Sequence, residues 1–197
     1  MTGEINPEKS FATEQNRSIP RKIARACGLI LAITAVVYGG IRVSHRYHAN
    51  ASLIPATSQG HQAPNFALST PDGKTVQLSD YRGKVVLLNF FGDTCEPCLE
   101  ESPWLVEIQG RNRAKGIEII GIEMYGASND AIKNYAKQFG TNYILVHGNE
   151  DVANEYGIGS FPTSYFLNAR GTIVAATVGL HSKNEIEANV QSALASE

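Results

Sequence analysis

Twice along the chain an unbroken apolar run gives way to apolar residues at helical spacing. Lys84 to Phe91 is continuous enough to predict a strand buried on both faces. From Cys98 to Asn112, Leu99, Trp104, Leu105 and Ile108 recur at helical intervals, and Pro103 is expected to kink that helix. Ile117 to Met124 predicts a second buried strand. Ile132, Tyr135, Ala136 and Phe139 predict a second helix, capped by Ser128 or Asn129 and stopped by Gly140. Tyr143 to Val146 reads as a short strand and Glu150 to Tyr156 as a short helix closed by Gly157. Ser164 to Leu167 and Thr172 to Val178 flank Asn168-Ala169-Arg170-Gly171, whose Asn and Gly suit a hairpin turn. Ser182 and Glu185 form a capping box that opens a last helix through Leu194. Helices alternating with buried strands, then a hairpin and a helix, describe an α/β domain of three layers with a central mixed sheet.

The pattern upstream is different. Residues 1–22 are polar and show neither helical nor strand period, which reads as a disordered tail on the cytoplasmic side. Ala26 to Ile41 is free of charge, and residues 23–43 together approach the roughly 20 residues that span a bilayer. Arg17, Arg21, Lys22 and Arg25 precede this stretch, against Arg42 and Arg46 after it, so the positive-inside bias puts the remainder outside. Ala49-Asn50-Ala51 offers a rival reading as a cleaved signal, but it lies far from the apolar run, with two arginines between. Residues 44–60 read as a linker and 61–197 as the globular domain. The expectation is a single-pass membrane protein with its domain on the outer side of the membrane.

Composition narrows the chemistry. A chain of 197 residues with 43% hydrophobic content supports one ordinary domain plus its extensions. A formal net charge of -2 supplies no basic field for nucleic acid. Three cysteines, Cys27, Cys95 and Cys98, are too few for a disulfide scaffold. Cys27 lies in the apolar stretch and is expected to be inert.

Cys95-Glu96-Pro97-Cys98 directly follows a buried strand and opens a helix, a context that makes the pair a redox centre. In the first turn, Cys95 would face free backbone N–H groups and the positive end of the helix dipole, which favour thiolate. Cys95 is the expected nucleophile. Cys98, three residues on and deeper, is the expected resolving thiol. Pro97 costs no helical hydrogen bond in a first turn, whereas Glu96 opposes a second negative charge and biases the couple toward giving electrons. A single pair with no second one argues against structural zinc, and so short a loop gains little from a permanent bridge. No metal and no cofactor beyond a Cys95–Cys98 disulfide is implied.

Several motifs around the pair carry a resemblance. They are Ala63-Pro64-Asn65-Phe66 at the start of the domain, Asp72-Gly73-Lys74 with Leu78-Ser79-Asp80, Gly83-Lys84, Asn89-Phe90-Phe91 and Ser160-Phe161-Pro162-Thr163. With the cysteine pair, they resemble the TlpA/ResA-like family of membrane-anchored, thioredoxin-fold thiol-disulfide oxidoreductases. The resemblance implies a cis Phe161-Pro162 bond beside Cys95, with Phe161, Pro162 and Thr163 forming the loop against which an extended substrate pairs. It implies that Glu101 assists proton transfer at the cysteines, in a domain whose Asn89 replaces the buried acid many thioredoxins carry. It implies as partners an exported disulfide-containing protein such as apocytochrome c, and a membrane thiol carrier that donates electrons. The chain departs from its relatives at Thr94, where they usually carry Trp, so the aromatic wall beside the site is expected to be missing. Two alternatives stay open: a peroxiredoxin-like peroxidase, and a copper-binding chaperone using Cys95, Cys98 and either His147 or His181.

Overall fold

The computed structural model of the protein describes residues 59–196, so the expected tail, anchor and most of the linker lie outside the described residues. The domain begins with a short hairpin, β1 (Ala67–Ser69) and β2 (Thr75–Gln77), followed by a 3-10 turn at Leu78–Tyr81. Then come β3 (Val85–Phe91), α1 (Glu96–Asn112), β4 (Ile117–Glu123), α2 (Asn129–Phe139) and β5 (Ile144–His147). The chain ends with α3 (Glu150–Glu155), β6 (Thr163–Leu167), β7 (Ile173–Val178) and α4 (Lys183–Ala195). The five-stranded sheet has the order β5-β4-β3-β6-β7. β3, β4 and β5 are parallel, β6 runs antiparallel to β3, and β7 runs antiparallel to β6, so the sheet is mixed.

β3 is central because all seven of its residues are buried, which only a strand covered on both faces can satisfy. Its side chains alternate between two cores. Val85, Leu87 and Phe91 pack with Leu105 and Ile108 of α1, Ile132 and Tyr135 of α2, and Ile186 and Val190 of α4. Val86, Leu88 and Phe90 pack on the other face with Leu68, Val76, Val152, Tyr156 and Tyr165. Burial of each such side chain stabilises the fold by about 2 kcal/mol. Asn89 falls on the α1 face, one polar residue in an otherwise apolar row.

Local chemistry ends the helices where it should. Ser128 caps α2 by accepting the Ala131 N–H, and Gly140 closes it at φ 62°, where a side chain would be strained. Ser182 and Glu185 form the reciprocal capping box of α4. Pro103 does not interrupt α1, which continues to Asn112.

The start of the domain is sewn to the far end of the sheet. The Gly60 N–H donates to the Ile173 carbonyl at 2.8 Å, the Ile173 N–H to that of His61 at 2.9 Å, and Gln62 bridges to Thr172. That end adjoins the β6–β7 turn, and the register pairs Leu167 with Val86 at the beginning of β3.

Candidate active site

Two parallel strands, β3 and β4, finish at the same edge of the sheet, and the chain leaves each through a short turn that shapes the site. After Phe91, the Gly92 carbonyl accepts the Cys95 N–H at 3.2 Å and the Cys95 carbonyl accepts the Leu99 N–H at 3.0 Å, which starts the helix. Cys95 is therefore the N-cap of α1, with no side chain capping the helix in its place. Glu96 and Pro97 occupy the first turn and are exposed. The proline ring sits where its missing N–H is not needed.

Cys95 and Cys98 form a disulfide with Cα atoms 5.2 Å apart. Cys95 is 8% exposed and Cys98 2%, so the first sulfur is the more accessible of two that share one wall of the core. One turn beyond Cys98, Glu101 points into the same buried layer and is only 3% exposed. Burial raises its carboxyl from the ordinary 4.5 to about 8, because removal from water penalises the charged form. The Asn89 Nδ2 donates to Glu101 Oε1 at 3.3 Å and to Ser164 Oγ at 3.1 Å. Asn89 thus touches the buried acid, a link that its place on the α1 face of β3 could have signalled. Glu100 is exposed, and Trp104 is a half-buried residue packed on the core.

Across the sheet edge lies the loop before β6. The Phe161-Pro162 bond is cis. Pro162 is buried, and its carbonyl accepts the Gly179 N–H at 2.7 Å. Phe161 is half-buried against the core cluster that contains both cysteines. Among the described residues its N–H and C=O have no hydrogen-bond partner. Thr163 is buried, and its hydroxyl donates to the Ser160 carbonyl at 2.7 Å, so its side chain braces the loop.

The expectation of a missing aromatic wall is corrected. Thr94 is exposed and small, but Tyr125, from the turn after β4, lays its ring across Gly92 and meets Phe161 edge-on with centroids 5.2 Å apart. Any Cβ at Gly92 would overlap that ring. The Tyr125 turn is held by Glu123, whose Oε1 accepts the Tyr125 N–H at 2.7 Å and whose Oε2 accepts the Ala127 N–H at 2.9 Å. Neither residue stands out in the sequence, since a loop aromatic and a glutamate ending an apolar run carry no spacing signal.

The two histidines of the copper alternative are placed otherwise. His147 ends β5 and bonds Asn129 at 2.7 Å, and His181 lies 3.8 Å from Glu185. Among the described residues no group of three His, Cys, Asp or Glu side chains is arranged to hold a metal ion.

A model of the AhpC/TSA family matches residues 59–176. The chain belongs to that family. Within it, the chain is 33% identical to the thiol-disulfide oxidoreductase ResA of Bacillus thuringiensis over 129 residues, 65% of this chain and 74% of the relative. It is 34% identical to ResA of Bacillus subtilis over 130 residues, 66% and 72% of the two chains. Among solved structures, a thiol:disulfide interchange protein of the thioredoxin family from Chlorobium tepidum matches with a TM-score of 0.62 at 29% identity, over 68% of this chain and 95% of that one. A thiol:disulfide interchange protein from a Bacteroides species matches at 0.59 with 26% identity, over 68% and 90%. The fold is thioredoxin-like, and the protein is a thiol-disulfide oxidoreductase.

Proposed function

We propose that the protein is a reductase for disulfides of exported polypeptides, held at the outer face of a bacterial cytoplasmic membrane by residues 23–43 and serving cytochrome c maturation. The observation that carries the reading is a buried acid, Glu101, one turn below a cysteine pair at a helix N-terminus. In the reduced form the Cys95 thiolate attacks one sulfur of the substrate disulfide, and the other sulfur leaves as a thiolate that takes up a proton. Cys98 then gives up its proton and attacks the Cys95 sulfur. The mixed disulfide breaks, the substrate departs as a dithiol, and Cys95–Cys98 carries the oxidised bond.

Glu101, neutral below about 8, can donate a proton to a leaving thiolate, and its ionised form can accept the Cys98 proton. The N–H and C=O of Phe161, without partners among the described residues, suit pairing with an extended substrate beside Cys95. Two electrons per cycle return from a membrane dithiol carrier, which becomes a disulfide. Glu96, in the first turn, discourages the dithiolate and so favours the reducing direction.

The test is a Cys98→Ser variant expressed in cells, which stops the cycle at the mixed disulfide. Exported proteins, apocytochrome c among them, are expected to accumulate on Cys95. An empty trap, or one filled with cytoplasmic proteins, would overturn the reading. A reduction potential near about -120 mV, that of a strong oxidant, would overturn the direction alone.

A further inference from the structure

Among the described residues, two large hydrophobic side chains are left exposed, Tyr125 at 53% and Leu180 at 40%. Both border the cis-Pro162 loop. Tyr125 reaches it by ring contact with Phe161, and stands over Gly92 at the foot of the turn that ends in Cys95. Leu180 follows Gly179, whose N–H is bonded to the Pro162 carbonyl. In the sheet order β4-β3-β6-β7, the Tyr125 segment leaves β4 and the Leu180 segment leaves β7, so the two segments reach the loop before β6 from opposite sides. Neither is a loose tip. Glu123 fixes the Tyr125 backbone from below, and the Gly179 bond ties the Leu180 segment to the loop. Backbone segments fixed in advance lose less freedom when a partner arrives.

We propose that Tyr125 and Leu180 are the two walls of a substrate groove, and that they select polypeptide disulfides whose cysteines are flanked by apolar or aromatic residues. The proposal rests on the reading of the protein as acting on polypeptide disulfides. A segment paired to the Phe161 backbone runs between the walls, and its alternating side chains meet them. An aromatic residue on the Tyr125 side adds an edge-on ring contact of the kind Phe161 already makes there. Thr94 contributes no comparable surface, so selectivity at this site comes from the end of β4 instead of the residue before the nucleophile. Glu123 acts through Tyr125 and is a positioning residue.

The experiment uses the reduced full chain in detergent with three disulfides. Two are synthetic peptides with the same internal disulfide, one flanked by Phe and Leu and the other by Ser and Gly. The third is glutathione disulfide. The wild-type protein is expected to prefer the apolar peptide. Tyr125→Ala and Leu180→Ser are each expected to lower kcat/KM for that peptide about tenfold, mainly through KM, and about fivefold more than for glutathione disulfide. Tyr125→Phe is expected to keep the preference. Equal kcat/KM for the two peptides in the wild-type protein, or equal losses on peptide and glutathione disulfide in both variants, would overturn the proposal. Failure to reduce any disulfide while the oxidised protein oxidises the dithiol peptides would overturn the reductase reading only. The same peptide preference, measured in that direction, would still support the walls.

Discussion

Two glutamates lie equally deep in this domain, Glu101 on α1 and Glu123 at the end of β4, and they are put to opposite uses. Both oxygens of Glu123 are filled by backbone N–H groups that cannot move away, so the carboxylate works as a clamp on the turn that presents Tyr125. Glu101 has one long bond, from an amide side chain, and an apolar surround that pushes its carboxyl up to about 8. The lesson is that burial alone does not make an acid reactive. The supply of fixed donors decides whether a buried carboxyl is a structural member or a proton exchanger.

The largest effect that would break this contrast is on stability. Glu123→Ala leaves two N–H groups without acceptors and is expected to destabilise the domain by about 3 kcal/mol, measured by denaturant unfolding at pH 7. A loss no larger than that of Glu101→Ala would erase the distinction. Second in size is Glu101→Gln. It is expected to slow disulfide exchange about 100-fold near pH 7 and to remove an inflection near pH 8 from the rate profile. The same variant reports on linkage. Between 4.5 and about 8 the unfolded chain has released the Glu101 proton while the folded domain keeps it, so stability falls as pH rises, by about 1 kcal/mol per unit. The contribution is complete below 4.5 and gone above about 8, and Gln is expected to flatten the slope. The smallest effect belongs to Asn89→Ala, which removes the 3.3 Å bond and is expected to move the inflection upward by less than about one pH unit.

Much of the scaffold could be read from the chain because its signals are local. Runs of buried residues predicted β3 and β4, Ser182 with Glu185 predicted the start of α4, and the cysteine pair announced its own place at a helix N-terminus. The β1–β2 hairpin did not announce itself, because each strand is three residues long and buries one side chain. Pro103 lies inside α1, which continues past it to Asn112. The site was half visible. Cys95, Cys98 and Glu101 share one helix, so spacing could group them. Asn89, Glu123 and Tyr125 join them only through the register of β3 with β4 and the close approach of a ring to Gly92, which no local spacing encodes.

The stitching of residues 60–62 to the β6–β7 turn sets the polarity of the whole domain. That seam and the cysteine pair sit at opposite poles, separated by the seven residues of β3, about 20 Å. Residues 60–62 therefore enter the domain at the pole opposite the thiols, so the seam that closes the sheet and the pair that reacts share no residue and no strand end.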